Sequence, residues 1–219
     1  MKTTIDHLLI GTIKPYGPDG KTSAYIKSLV KGNLKIGLLG LEGDEQADLK
    51  NHGGKNKALL HYAFDHYQSW LNEQPHLAEH LTECGAFGEN ISTLGLAEDE
   101  VCIGDQYRLG TAIVEVSQGR QPCWKLGHRF NYAKMVKEVI QTGRSGWYYR
   151  VIEAGQAAAG DSVELLDKPH PEWSVLEVSQ QLNNKKPNIE KLHRLTELEV
   201  LASEWKVRAI KLLDKTKKN

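Results

Sequence analysis

The sequence predicts a mixed α+β fold that is mainly β, with a small β-barrel followed by a helical C-terminal region. Short strand-like runs separated by Gly-rich turns recur through residues 1–168. A Gly-Asp turn followed by a strand-like run occurs twice, at Gly104-Asp105 and at Gly160-Asp161. Such repetition is typical of small barrels built from several short strands. After Lys168 the composition changes to helix-forming residues.

The first 40 residues contain a succession of short apolar runs. Residues 7–13 are consistent with a strand and are followed by a turn rich in Pro and Gly. Two further runs, 24–29 and 34–38, are separated by Lys31-Gly32-Asn33, which is a plausible hairpin connection. The chain is therefore expected to begin as a β-meander or barrel.

A pair of glycines precedes an apolar run in the next segment. His52-Gly53-Gly54-Lys55 leads into residues 58–71, whose apolar stripe predicts a helix. Glycines let the backbone approach a ligand closely, and helix N-terminal amides with lysines form an anion site, so the segment could hold a phosphate. It matches neither a Walker A loop nor a GxGxxG motif. A plain tight turn with solvated lysines is the alternative interpretation.

A cysteine flanked by cations follows the most strand-like stretch of the chain. Residues 112–116 have strand composition, and Gly119 with Pro122 interrupts the strand, so Cys123 is expected on a loop at a strand end. Nearby Arg120 and Lys125 would favour the thiolate, which is both a nucleophile and a soft-metal ligand. The alternative is that Cys123 is a small buried hydrophobic residue.

Three helices are predicted after a linker that contains Pro169 and Pro171. Ser174 can cap a helix that extends to about residue 182, and Glu177 occupies the capping-box position. Residues 189–195 form a second helix, and Thr196 can cap a third that extends to about residue 215. We therefore divide the chain into a barrel domain at 1–168 and a three-helix domain at 169–219. Helices this short should pack on the barrel or on another subunit.

Composition restricts the class of protein. The 219 residues carry zero net charge, and no apolar run approaches the roughly 20 residues that span a bilayer. The N-terminus lacks the pattern of a signal peptide, so we expect a cytoplasmic protein without membrane contact. Its cysteines, Cys84, Cys102 and Cys123, form no CxxC pair, which argues against a disulfide framework and a structural zinc site.

Charge is unevenly distributed along the chain. Residues 185–219 contain ten Lys or Arg and five Asp or Glu. A basic helical tail can contact nucleic acid or an acidic partner, but such an excess is more often a solvated helix face. Nucleic acid is therefore not the expected partner.

Several motifs in this order and spacing resemble the MOSC domain, which is shared with the C-terminal part of molybdenum cofactor sulfurases. The resemblance covers nearly the whole chain, because a group of small bacterial members also carries a short three-helix domain after the barrel. The motifs that carry it are Leu41-Glu42-Gly43-Asp44, His52-Gly53-Gly54, Ala86-Phe87-Gly88-Glu89-Asn90-Ile91-Ser92, Gly104-Asp105 and Gln118-Gly119-Arg120-Gln121-Pro122-Cys123.

The resemblance implies a MOSC-type β-barrel with peripheral helices that binds the pterin-based molybdenum cofactor, with Cys123 as the molybdenum ligand. Relatives of this group reduce N-hydroxylated compounds, including hydroxylaminopurine bases, and so detoxify them. Cys123, His52 and Arg120 are then the expected catalytic residues, and His128 is an alternative proton donor to His52. The expected cofactor-binding residues are Gly53, Gly54, Lys55, Glu89, Asn90, Arg120 and Lys125.

A reductase of this kind would require an electron donor and a substrate. The sequence has no signature for flavin, haem or an iron–sulfur cluster, so electrons should come from a separate reductase, a flavoprotein. The substrate should be a small N-hydroxylated molecule, and a homo-oligomer stays open. Two alternatives remain, namely a sulfur carrier that uses a Cys123 persulfide and a non-catalytic cofactor-binding module whose basic tail docks a recipient.

Overall fold

A large β-sheet flanked by helices makes up the protein, described by a computed structural model over residues 3–17 and 20–216. The strands are short, as the sequence predicts. In chain order they are β1 (Thr3–Thr4), β2 (His7–Ile10), β3 (Lys14–Pro15), β4 (Thr22–Ser23), β5 (Ser28–Leu29), β6 (Leu34–Gly37), β7 (Gly40–Leu41), β8 (Leu59–Ala63), β9 (Ile91–Thr93), β10 (Gln106–Leu109), β11 (Ala112–Gly119), β12 (Trp147–Glu153), β13 (Gly155–Ala157) and β14 (Ser162–Asp167).

Helices lie between the later strands and at the C-terminal end. Short 3-10 segments cover Lys55–Lys57 and Pro75–His80. The α-helices of the described residues are α1 (Leu49–His52), α2 (Asp65–Glu73), α3 (Trp124–Arg129), α4 (Met135–Thr142), α5 (Val175–Asn183), α6 (Ile189–Glu197) and α7 (Ser203–Thr216). The mixed α+β class that is mainly sheet is thereby confirmed. No helix among these is long and apolar enough to cross a membrane.

The strand order places β11 in the middle of the main sheet. That sheet has the order β1-β14-β10-β11-β12-β8-β9-β2-β5, and β13, β6 and β7 form a second sheet. Pairing is antiparallel except between β8 and β9. Within residues 3–17 and 20–216, no ladder joins the edge strands β1 and β5, so the predicted barrel closure is not seen. Each edge strand is only two residues long and offers few hydrogen-bonding groups.

The C-terminal helices share a hydrophobic core with the main sheet. Val114 and Val116 of β11 belong to the same cluster of buried side chains as Trp205 and Ala209 of α7. The expectation that the helices pack on the β domain is confirmed. The domain boundary between residues 168 and 169 stays a prediction. One cluster of buried side chains includes residues from both sides of it.

The prediction of one helix over residues 58–71 is wrong in its first half. Strand β8 covers Leu59–Ala63, and the helix α2 begins only at Asp65. All five residues of β8 are buried, because it pairs with β12 on one side and β9 on the other while helices and loops cover its faces. A strand that is buried on both faces has no period-two pattern, so its apolar run also matches a helical stripe.

The predicted hairpin between residues 24–29 and 34–38 is also wrong. Strand β5 pairs with β2 in the main sheet, whereas β6 pairs with β7 and β13 in the second sheet. The turn at Lys31-Gly32-Asn33 therefore carries the chain from one sheet to the other. The true hairpin of this region is the one between β6 and β7.

Of the two helix caps predicted in the C-terminal region, the structure has one and lacks the other. The Ser174 side chain accepts a hydrogen bond from the Glu177 backbone N at 3.1 Å, which confirms the predicted cap of α5. The predicted cap at Thr196 is wrong, because Thr196 still belongs to α6 and α7 begins at Ser203. Between them Leu198 and Leu201 are buried in a turn, and the apolar spacing there imitates a helix face.

Candidate functional site

Cys123 lies just past the end of the long central strand, as predicted. Strand β11 ends at Gly119, and Cys123 has extended backbone immediately before α3. Gly119 is required there, since an added Cβ would lie 2.7 Å from the Trp205 ring. The thiol side chain is partly exposed rather than part of the core, which excludes the simple interpretation of Cys123 as a buried hydrophobic residue.

Cys123 lies on an open cleft whose space between atoms, including the solvent at its mouth, is about 600 Å³. The cleft lies between the loops after β4, β7, α1 and β11 and the facing side of β12. Its polar lining residues are Ser23, Tyr25, Lys27, Asp44, Glu45, Gln46, His52, Lys57, Asn90, Arg120, Gln121, Cys123, Lys125 and Tyr148. Cations outnumber carboxylates in this set, so the cleft favours an anionic ligand.

Arg120 is a buried cation without a counter-charge. Its residue is 6% exposed, its guanidinium lies 5.8 Å from the Tyr25 ring centre, and its Nη1 has no hydrogen-bond partner. Burial raises the pKa of Tyr25 and of Tyr148, with Arg120 opposing the rise, so both phenols stay neutral at pH 7. An unpaired guanidinium in a buried position is unfavourable, so an anionic ligand is a suitable partner for Arg120.

Lys125 adds a second cation without an acidic partner. Its residue is 8% exposed, and no ion pair within residues 3–17 and 20–216 includes it. Its backbone is held by Tyr16, whose hydroxyl donates to the Lys125 carbonyl at 3.1 Å. The cleft therefore presents two buried positive charges beside the Cys123 thiol.

His52 lies on the same cleft and is neutral at pH 7. Burial and then the charge of Lys125 lower its pKa, while Asp48 opposes this shift. Its Nδ1 lies 3.4 Å from Asp48 Oδ2 but has no hydrogen-bond partner. An anion bound beside Lys125 would cancel that repulsion and favour protonation of His52.

A hydrogen-bonded network behind the cleft fixes its shape. The carboxylate of Asp44, whose side chain is 2% exposed, pairs with Lys27 and accepts from the Gly11 backbone N at 2.7 Å. Asn90 donates to Asp44 Oδ2 at 2.9 Å, and its Oδ1 accepts from the Leu60 backbone N at 3.1 Å. Both polar atoms of the Asn90 side chain are thus engaged by the protein. Asn90 lines the cleft, and its amide nitrogen holds the Asp44 carboxylate in place.

Glu89 is turned away from the cleft. It is fully buried, and its carboxylate accepts from Tyr67 Oη at 2.6 Å, from Gly85 N at 2.7 Å and from Phe87 N at 3.0 Å. These bonds fold the turn that ends in Gly88. Gly88 itself lines the cleft and packs on Tyr25, where an added Cβ would lie 3.1 Å from the ring.

The glycine pair does not precede a helix. Gly53 ends α1, Gly54 has φ of 94°, and a three-residue 3-10 segment then leads into strand β8. The helix N-terminus invoked for an anion site is therefore wrong. Gly53, Gly54 and Lys55 are not among the lining residues, and the lysine that does line the cleft is Lys57.

Two other side chains near the sequence motif, those of Arg144 and His128, are not among the lining residues. Arg144 forms a bidentate pair with Glu73, with N–O distances of 2.8 and 2.7 Å, and does not extend the cleft. His128 lies outside the lining, with its ring 4.9 Å from that of Tyr16. Of the predicted residues, the structure brings together Cys123, Arg120, Lys125, His52 and Asn90.

Sequence reasoning missed Tyr25, Lys27, Lys57, Gln121 and Tyr148 as lining residues. Tyr148 is adjacent to the buried Trp147 on β12, and the alternation of the strand predicts that neighbours face opposite sides. Gln121 lies between Arg120 and Cys123 and could have been included on that ground. Nothing local distinguishes Lys27 or Lys57 from solvated lysines.

Comparison with known proteins gives a consistent relationship. The family model of the MOSC domain matches residues 48–164. Protein YiiM of Escherichia coli (strain K12) is 46% identical over 158 residues, which are 72% of this chain and 70% of that protein. A protein named Reductase from Gibberella moniliformis (strain M3125 / FGSC 7600) is 39% identical over 190 residues, or 86% of this chain, but the match spans only 34% of that protein.

A solved structure agrees with the sequence relatives. The crystal structure of YiiM from Geobacillus stearothermophilus superposes with a TM-score of 0.81 at 29% identity. The superposition covers 96% of this chain and 99% of that one. The similarity therefore includes the C-terminal helices as well as the sheet.

Proposed function

The chain belongs to the MOSC domain family, and we propose on that premise that its cleft binds the pterin-based molybdenum cofactor and that the protein reduces N-hydroxylated compounds. The observation that carries the proposal is the buried, unpaired Arg120 guanidinium beside the partly exposed Cys123. The relative from Gibberella moniliformis that is named Reductase, of which the match spans 34%, supports the reaction class.

The residues of the cleft fit the chemistry of this cofactor. Its phosphate is an anion, and Arg120 and Lys125 are two buried cations without acidic partners. Its metal is bound by sulfur ligands, and Cys123 offers a thiol on the same cleft. Tyr25 and Tyr148 add two aromatic side chains to the lining of the same cleft.

Each residue then has a defined task. Cys123 would hold the molybdenum, and Arg120 with Lys125 would hold the phosphate through charge-assisted hydrogen bonds. When bound, the cofactor would supply the two-electron cleavage of the N–O bond of the substrate. The protein contributes binding and orientation, and the Asp44–Lys27–Asn90 network keeps the cleft walls in place.

His52 is the proposed proton source. The His52 side chain is neutral at pH 7, because burial and the charge of Lys125 lower its pKa. An anion that pairs with Lys125 would raise the pKa of His52 and allow it to carry a proton into the cleft. Proton uptake is thereby coupled to the arrival of the anionic ligand. Electrons for each cycle would come from a separate reductase.

Metal and pterin analysis tests the proposal. The full chain is produced in a host that makes the cofactor, together with Cys123→Ala and the control Cys84→Ala, whose thiol lies outside the cleft. We expect near-stoichiometric molybdenum in the wild type and in Cys84→Ala, and loss of molybdenum in Cys123→Ala. The molybdenum-containing proteins should reduce an N-hydroxylated purine when a reductant is supplied.

A persulfide on Cys123 with no molybdenum in any of the three proteins would oppose the proposal and favour the sulfur carrier. Molybdenum that is retained equally by Cys123→Ala would show that another residue holds the metal. Molybdenum without any turnover would favour the non-catalytic binding module.

A further inference from the structure

We infer that helix α7 supports the cleft from behind and that Glu204, through its ion pair with Lys57, tunes the affinity of the cleft for anionic ligands. This inference rests on the proposed function in one respect only, since it takes the cleft as an anion site. It assigns a role to the C-terminal helices that the family relationship does not state.

The positive charge of Lys57 is paired with a carboxylate that lies outside the cleft lining. Its Nζ lies 3.3 Å from Glu204 Oε1, and its side chain is 9% exposed whereas that of Glu204 is 50% exposed. The other cations differ, because Lys27 pairs with Asp44 inside the lining and Arg120 and Lys125 have no acidic partner in the described residues. Lys57 is therefore the lining cation whose carboxylate partner comes from α7.

The same helix supports the opposite wall of the cleft. Arg208 donates to the side chain of Gln121, and its Nη2 also bonds Asn183 Oδ1 at 2.5 Å. Trp205 packs against Gly119, where an added Cβ would lie 2.7 Å from the indole ring. The Ala202 backbone N donates to the Ser117 carbonyl at 2.9 Å. The loop that carries Arg120 and Cys123 thus rests on α7.

The direction of the Glu204 effect follows from electrostatics. A carboxylate bonded to Lys57 neutralises that cation and repels any anion that approaches it. Replacing Glu204 by glutamine keeps an oxygen that can accept from Lys57, so the lysine keeps its place while the negative charge is removed. The partly exposed carboxylate is screened by solvent, so the gain in anion affinity should be about two- to fivefold.

Titration of the full-length, cofactor-free chain with inorganic phosphate or pyrophosphate, followed by calorimetry, tests this role. Glu204→Gln should bind the anion about two- to fivefold more tightly than the wild type. Glu199→Gln is the matched control, because Glu199 is an exposed acid of the same helical region without an ion pair in the described residues. It should change the affinity by less than half as much.

A double-mutant cycle separates the specific effect from a general change in charge. In a Lys57→Met background, Glu204→Gln should leave anion affinity unchanged if Glu204 acts through Lys57. An equal gain in both backgrounds, or an equal gain in Glu204→Gln and Glu199→Gln, would overturn the inference. So would the absence of phosphate binding by the wild type. Molybdenum content is measured on separate, cofactor-loaded protein, so the proposed function can stand when this inference fails.

Discussion

Replacing Arg120 by methionine should stabilise the cofactor-free chain while weakening its binding of anions. Arg120 is 6% exposed, its Nη1 has no partner, and the tyrosines that face it are neutral at pH 7. Arg120 would thus lower the stability of the cofactor-free chain and raise its affinity for anions. Such a trade-off between stability and activity is expected at a functional site.

The magnitude follows from two opposing terms. Burying an unpaired guanidinium costs several kcal/mol even after the surroundings relax. Loss of the contact with the Tyr25 ring, at 5.8 Å, removes about 0.5–2 kcal/mol of stabilisation. The net gain on substitution should be about 1–2 kcal/mol, which corresponds to about 2–8 °C in Tm for a chain of this size.

Thermal and urea unfolding of cofactor-free Arg120→Met, with phosphate titration in parallel, measures both effects. Arg150→Met is the control, because Arg150 has a partner in Glu115 at 2.8 Å and also bonds the Val200 carbonyl at 2.8 Å. That substitution leaves Glu115 unpaired and should destabilise the fold by about 2–4 kcal/mol. A similar loss of stability in Arg120→Met, or unchanged phosphate affinity, would refute the assignment of Arg120 as an unpaired anion-binding cation.

Two further predictions concern the fold. His61 is fully buried, and burial lowers its pKa to about 3. The unfolded chain therefore takes up a proton at His61 before the folded chain does, and stability falls as pH drops below about 6.5. Chemical unfolding at several pH values should show that the wild type loses about 2 kcal/mol of stability by pH 5 and that His61→Gln loses less. Gly119→Ala should destabilise the chain by about 1–3 kcal/mol and shift the fluorescence of Trp205, because the new Cβ meets the indole ring. Gly37→Ala, where the nearest atom is 3.8 Å away, should change stability far less, and equal effects of the two would contradict the packing argument.

The site itself was only partly predictable from local sequence. Cys123, Arg120 and Lys125 lie within six residues of one another, so the end of strand β11 brings them together in any fold that forms this strand. His52 joins them from the end of α1, and only the family motifs associated it with the site. Glu89 belongs to the same set of motifs, yet its carboxylate folds a turn, because backbone N–H groups from Gly85 and Phe87 surround it.

By itself, the sequence determined the features that depend on residues a few positions apart. The strand that leads to Cys123 and the Ser174 cap of α5 both follow from local composition and backbone preference. Tertiary structure determined the features that depend on contacts between residues far apart in the sequence. It made Leu59–Ala63 a strand by burying it on both faces, and it left Arg120 without a counter-charge. It also joined Lys57 to Glu204 across 147 positions, because packing of α7 on the sheet brings together charges that no local pattern connects.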